Sequence, residues 1–367
     1  MAQIVVEVGK DSAAVLDRSL AELGIGEYVS QVARSVVGHE TSGLVSILKP
    51  VALEQDPLAV ITCVVPIDRA QTVAAHIAKS LDLATPGQGT MKVYSVSVGT
   101  PSEPEDPIDA ETVPSSTASS VLLLDNVAEI VSIVQRGEGT SMSSFALNLG
   151  QSVPSVTFGI GMGLREKLNL IRITFPRDKE IVRITVNADE AQDVFDQLVD
   201  VGRLDEPGKG FIYLSPIKRA LPNTLLFRGS QRHAATMEQV IQAIDSMQGT
   251  ASWRQKRIAT VLSGGSRRKY LQDMDEIEVR IADGHSQQLV LAAMPAGAAG
   301  ATISRARLVR VHGSERTGAG VEILYIIVPA SVTHRILTAL EDAGLWADKL
   351  NGGVTVRPVQ KACTYLS

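Results

Sequence analysis

The chain has 367 residues, 44% hydrophobic and only 4% aromatic, with a formal net charge of −5; this allows two or three domains with aliphatic cores and argues against the concentrated basic face of a nucleic-acid binder. Its two cysteines, Cys63 and Cys363, lie far apart without metal-ligand spacing, so neither a disulfide framework nor a metal site is expected, and the setting expected is a reducing cytoplasm. No apolar run approaches the ~18 residues that cross a bilayer, and the first residues lack a basic region followed by an apolar core, so neither a span nor a secretory signal is expected.

Taken in order, residues 3–8 read as a strand. Residues 12–23 carry Val15, Leu16, Leu20 and Leu23 at helical spacing, and Gly24 ends that helix. Residues 28–37 are strand-like, 39–57 an irregular connection, 58–65 a strand, 70–83 a helix and 90–98 a closing strand. That order, βαββαβ, defines a first unit over 1–98. Residues 99–120 crowd Pro101, Pro104, Pro107 and Pro114 among acids and serines and read as a linker.

A middle unit spans 121–248. Here 127–134 reads as helical, 145–149 and 156–160 as extended, and 170–175 with 181–186 as a hairpin around Pro176. Ala191, Val194, Phe195, Leu198 and Val199 form a helical stripe ended by Gly202, the turn 203–210 contains Pro207, Gly208 and Gly210, and a strand begins at Phe211. A further helix is expected over 237–247. Residues 249–271, with Arg254, Lys256, Arg257, Arg267, Arg268 and Lys269, read as a basic, solvated linker. The third unit, 272–367, repeats the pattern: strand 276–281, helix 287–296, strands 303–311 and 321–328, helix 332–345 and strand 354–359.

The sequence Pro86-Gly87-Gln88-Gly89 is a counterpart of Pro207-Gly208-Lys209-Gly210, whereas Gly352-Gly353 before the last strand lacks both the proline and the base. Such turns expose backbone N–H groups that suit anions, although glycine is also needed wherever φ is positive. Gly159-Ile160-Gly161-Met162-Gly163 fails as a dinucleotide loop, because Leu164 follows and no acidic residue stands in the required context. The six histidines show no metal-binding arrangement and the serines no nucleophile elbow, so no catalytic constellation is visible. Asp196, Asp200, Asp205 and Glu206 read as a solvated face.

The stretch 180–217 resembles the second half of a P-II signal-transduction protein. Gly202-Arg203 stand where that family has Gly-Lys, Gly208-Lys209-Gly210 where it has Gly-Asp-Gly, and Phe211-Ile212 begin the last strand. The loop is somewhat longer here, and Lys209 replaces an acid. The resemblance implies an α+β fold of three tandem ferredoxin-like, P-II-like units. Because the family forms homotrimers with nucleotide sites between subunits, three fused copies can close into a single-chain pseudo-trimer, or copies can pair across chains. ATP, ADP or AMP is then the expected effector. Its expected site is Gly202, Arg203, Gly208, Lys209 and Gly210, with Arg219 and Arg228 standing where the family has an arginine-bearing C-terminal loop. Residues 151–167 correspond to the family's mobile partner-binding loop, which nominates Gly159, Gly161, Gly163 and Arg165; the absence of tyrosine there speaks against control by uridylylation. The function implied is a non-enzymatic regulator of a membrane transporter or metabolic enzyme in nitrogen or inorganic-carbon uptake, cytoplasmic or peripheral at that transporter. The alternative is a ligand-free scaffold of ferredoxin-like repeats that self-associates.

Overall fold

A computed structural model describes residues 1–39, 52–99, 123–163, 177–228, 268–312 and 315–365. The fold is mixed α+β, with a mostly antiparallel sheet and six described helices.

The first segment runs β1 (Ala2–Gly9), α1 (Lys10–Glu22), β2 (Glu27–His39), β3 (Ala52–Val65), α2 (Ala70–Ser80) and β4 (Gly89–Ser95), followed by the short β5 (Ser97–Gly99). The second runs β6 (Val127–Gln135), α3 (Gly139–Asn148), β7 (Ser155–Gly163), β8 (Asp178–Asn187), α4 (Ala191–Gly202) and β9 (Gly210–Ile217), then β10 (Arg219–Leu221) and β11 (Phe227–Arg228). The third runs β12 (Met274–Ala282), α5 (Ser286–Ala293), β13 (Gly300–His312), β14 (Glu315–Pro329), α6 (Ala330–Asp342) and β15 (Gly353–Val359), then β16 (Lys361–Thr364).

Two expectations in the second segment are corrected. Residues 127–134 are strand β6, not a helix. Eight of its nine residues are buried, because one face meets α4 and the other meets neighbouring strands, and its polar residues, Glu129, Ser132 and Gln135, recur every three positions rather than alternating. Residues 145–148 belong to helix α3, which buries Met142, Ser143, Ala146 and Leu147 at helical spacing. By contrast, α4 buries Ala191, Val194, Phe195, Leu198 and Val199 as the stripe requires. The expected helix at 237–247, the strand at 170–175 and most of both linkers lie outside the described residues. The end of the second linker is packed rather than solvated: Leu271 exchanges backbone hydrogen bonds with Ala362, and Arg268 pairs with Asp200 and, at 3.0 Å, with Asp205.

Within each segment the strand order is the same, β4-β1-β3-β2, β9-β6-β8-β7 and β15-β12-β14-β13. The three sets are not separate sheets, because two kinds of contact join them. The second strands pair with one another: β13 with β2, β13 with β7, and β2 with β7. The short strand after each segment adds to the edge of another, β5 to β15, β10 to β4 and β16 to β9. Those three additions close a ring. Apart from the two-residue β11–β2 pairing, which is parallel, the ladders are antiparallel.

Each helix pair covers its own aliphatic cluster. The opposite faces of the strands turn inward, and there charged groups are buried: Glu7, Lys92, Glu129, Glu276 and Arg357.

Candidate functional site

The nominated turn starts where α4 stops. Arg203 takes a left-handed conformation at φ 51°, which ends the helix and lets the Leu204 N–H reach the Val199 carbonyl. Leu204 is then fully buried, and the chain doubles back through Gly208 at φ 75° and Gly210 at φ 145°. A Cβ on Gly210 would lie 2.4 Å from the Ile133 carbonyl oxygen, so glycine is required where β9 begins its antiparallel pairing with β6. The first segment repeats this turn bond for bond. Asp82 is left-handed at φ 50°, Leu83 is buried, Gly87 and Gly89 have φ 96° and 150°, and a Cβ on Gly89 would lie 2.4 Å from the Glu7 carbonyl oxygen.

The side chains on the two turns differ from expectation. Arg203 is exposed and bidentate with Glu206, at 2.7 Å through Nε and 2.6 Å through Nη2. Lys209 lies 3.7 Å from the Glu138 carboxylate. Both cations at the 203–210 turn therefore have acids of their own, and an arriving phosphate competes with Glu206 and Glu138. Gly202 sits at the end of α4 beside Leu204 and Met142.

Arg219 and Arg228 are not with them. Arg219 pairs through its backbone with Val93 on β4. Arg228 lies against the first segment, 2.7 Å from Asp56 and 3.3 Å from Glu54. There the residues after β10 dock on the first segment's glycine turn. The Gly87 N–H donates to Asn223 Oδ1 at 2.9 Å, and the Asn223 N–H donates to Thr90 Oγ1 at 3.0 Å. Together these residues border a small open cleft of about 80 Å³, lined by Gly87, Thr90, Glu7, Asp56, Asn223, Leu225 and Arg228 among others. The seven nominated nucleotide-binding residues thus fall apart: five lie at the second turn, Arg228 lies beside the first, and Arg219 stands opposite Val93 farther along β4, outside the cleft lining.

Gly159, Gly161 and Gly163 belong to β7, where Gly159 pairs with Lys179 of β8 and Gly161 and Gly163 pair with Thr302 and Gly300 of β13, so they are not the open loop expected over 151–167. Glycine there allows close strand approach: a Cβ on Gly159 would lie 2.8 Å from Thr302 Cγ2, and one on Gly163 3.2 Å from the Ala299 carbonyl oxygen. Arg165 lies outside the described residues.

The expected solvated face on α4 is also engaged. Besides the Arg268 contacts, Asp196 accepts from Lys361 Nζ at 2.7 Å and from Tyr270 Oη at 2.9 Å, and the Lys361 ammonium lies 3.8 Å from the Tyr270 ring centroid.

The third turn holds what sequence reading missed. Asn351, left-handed at φ 47°, precedes Gly352 and Gly353, and two arginines from distant strands reach it, Arg280 of β12 and Arg310 of β13. Neither is near the turn in sequence, so no motif could have signalled them.

Among the described residues no group of three or more histidine, cysteine, aspartate or glutamate side chains could hold a metal, and no helix is long and apolar enough to cross a membrane. No family model and no curated protein matches the chain. Among solved structures, a Bacillus cereus protein related to NIF3 overlaps 26% of this chain and 29% of its own at 16% identity and a TM-score of 0.20. Aspartate kinase from Synechocystis overlaps 97% of this chain at 10% identity and a TM-score of 0.22, and the chain spans 43% of that enzyme. At those TM-scores neither likeness bears on what the chain does.

Proposed function

We propose that the chain is a tandem array of three ferredoxin-like, P-II-like units closed into a single-chain pseudo-trimer, and that it acts as a non-enzymatic regulator. A small effector, an adenine nucleotide, binds in a cleft between one unit's glycine turn and the residues that follow another unit. Its binding alters engagement of a target transporter or metabolic enzyme.

The observation that carries this reading is the ring of strand exchange, β5 to β15, β10 to β4 and β16 to β9. It seats a following segment beside each turn, which is the arrangement expected if sites lie between subunits of a trimer. The cleft beside Gly87–Thr90 is the position taken here, since Arg228 and turn backbone border it together, although Arg228, like Arg203, must leave its own acids, Asp56 and Glu54, to meet a phosphate. A scaffold without ligand is the second reading. It is favoured by the steric need for Gly89 and Gly210 and by the acids that already neutralise Arg203 and Lys209.

Melting curves with ATP, ADP and AMP separate the two. Ligand at 100 times its Kd adds about 2.7 kcal/mol of stability and raises the midpoint visibly. Arg228→Ala should abolish that rise. No rise in the parent chain at millimolar nucleotide leaves the scaffold reading.

A further inference from the structure

Two arginines of the third segment converge on one carboxylate of the first. Glu27 opens β2 and stands opposite Arg310 in the β2–β13 ladder. Arg310 Nε donates to Glu27 Oε2 at 2.8 Å, and Arg280 Nη1 donates to Glu27 Oε1. Asn351 holds both arginines from the other side. Its carbonyl oxygen accepts from Arg280 Nε at 3.4 Å, and its Oδ1 accepts from Arg310 Nη2 at 3.1 Å. The left-handed backbone at Asn351 aims both acceptors at once, and Gly353 leaves room for Arg280, whose Nη2 would lie 3.1 Å from a Cβ there. The guanidinium groups therefore have a support on the turn that does not depend on Glu27.

Two fixed guanidinium groups facing one point make a strong oxyanion receptor, because their N–H donors form charge-assisted bonds in planar pairs. The single carboxylate of Glu27 leaves that pair one charge short of neutral. Glu27 itself is an exchangeable occupant. Its side chain is 35% exposed, and it follows Gly24, which is left-handed, and Gly26. Burial works against its charge, while Arg280 and Arg310 more than offset burial and hold the carboxyl below its usual range.

We infer that Arg280 and Arg310, oriented by Asn351, form a binding site for a phosphate-class oxyanion, and that Glu27 occupies this site in the unliganded chain and is displaced when the anion binds. Because Glu27 comes from the first segment and both arginines from the third, the exchange releases one tie between segments, which couples anion binding to how they are held together. The inference stands apart from the nucleotide reading, whose cleft lies beside Arg228.

The test is calorimetric titration of inorganic pyrophosphate into the full chain, comparing the parent with Glu27→Gln, Glu27→Ala and Glu27→Gln combined with Arg310→Ala. Glu27→Gln keeps the size of the side chain, removes its charge and replaces one of its two acceptor oxygens with an NH2 donor. The expected result is pyrophosphate binding at least roughly tenfold tighter in Glu27→Gln than in the parent, and lost in the double variant. Glu27→Ala should match Glu27→Gln. If neutralising Glu27 lowers the melting temperature without tightening pyrophosphate, the cluster is a structural ion pair and the inference is overturned; equal binding with and without Arg310 overturns it too. Arg228→Ala separates the two proposals, since it should remove ATP binding at the first cleft and leave pyrophosphate binding at Arg310 unchanged.

Discussion

The outer clusters under the helices and the inner region where the strand faces meet are built on different principles. Beneath α4, the contacts are aliphatic and aromatic: Val194, Phe195, Leu198 and Val199 pack on Ile130, Ile184 and Leu214. Inside, Lys92 Nζ donates to Glu129 at 2.8 Å and to Glu7 at 2.5 Å, while Arg357 donates to both oxygens of Glu276 at 2.8 and 3.0 Å and lies over the Tyr94 ring. Lys92 and Glu7 belong to the first segment, Glu129 to the second, and Glu276 and Arg357 to the third. Apolar burial stabilises each helix pair but discriminates little between partners. Glu129 is a buried charge whose ion pairs, with Lys92 of the first segment and at 3.7 Å with Arg357 of the third, both cross segments, and such a charge penalises wrong pairings.

That contrast sets the largest expected effect. Lys92→Met keeps the volume but takes the buried Glu7 out of its ion pair and leaves Glu129 dependent on Arg357 and Arg183, and should cost about 3–5 kcal/mol in urea unfolding. Restoring neutrality with Glu7→Gln and Glu129→Gln in the same chain should recover most of that loss. In the outer cluster no such rescue exists: Leu198→Ala removes packing alone, costs about 2–5 kcal/mol, and is recovered only by refilling the cavity. If the neutral triple variant is as unstable as Lys92→Met, the inner region is held by shape rather than charge.

Acid should distinguish the two regions as well. Burial alone would raise the Glu129 carboxyl, but Lys92, Arg357 and Arg183 outweigh it and lower it to about 2. A lowered carboxyl contributes stability that is present above its unfolded value of 4.5 and is lost as pH falls from there toward 2. The parent chain should therefore lose stability through that window. Glu129→Gln should show a flatter acid limb, whereas Leu198→Ala should shift the whole profile down without changing its shape.

The same contrast explains what could be read in the sequence. The α1 and α4 helices were legible because each has one apolar face. Strands such as β1 and β12 were legible because Gln3, Glu7, Glu276 and Glu278 fall at even spacing among their aliphatics, although Gln3, Glu7 and Glu276 are buried. β6 was misread as helix because its polar residues, Glu129, Ser132 and Gln135, recur every three positions, a helical spacing rather than a strand's alternation. α3 was missed because Gly139, Thr140 and three serines dilute its pattern. The exchanged strands β5, β10 and β16 have only 3, 3 and 4 residues, too short for any period. At the candidate site the glycine turns were legible as turns. The partners of their cations were not, since Glu138 and the Arg280–Glu27 pair are joined by topology rather than by spacing.

The two kinds of turn glycine sharpen the comparison at a smaller scale. Gly208 has a left-handed φ of 75°, so Gly208→Ala should cost about 1–2 kcal/mol. Gly210 adds the approach to the Ile133 carbonyl oxygen, and Gly210→Ala should cost more than Gly208→Ala. Equal losses would mean that β9 can shift away from β6, and thermal unfolding of the two variants reads this directly.

The smallest stability effect belongs to Arg203, which is also where the two candidate nucleotide sites part. Its guanidinium is solvated and its partner Glu206 sits three residues along the same turn, so the pair ties no segment to another. Its left-handed backbone is strained for any residue with a Cβ, and Arg203→Ala keeps that strain unchanged. The melting temperature of Arg203→Ala should therefore match that of the parent chain within error. Arg203→Gly should melt slightly higher, because glycine adopts this φ freely. Nucleotide binding is the discriminating readout. If ATP uses the 203–210 turn, Arg203 must leave Glu206 for a phosphate, and Arg203→Ala should weaken ATP roughly tenfold or more while Glu206→Gln tightens it. If ATP uses the cleft beside Gly87–Thr90 instead, neither change matters and Arg228→Ala alone removes binding. Calorimetry on these variants assigns the site from the pattern: loss at Arg203 with gain at Glu206 marks the second turn, and loss at Arg228 marks the first.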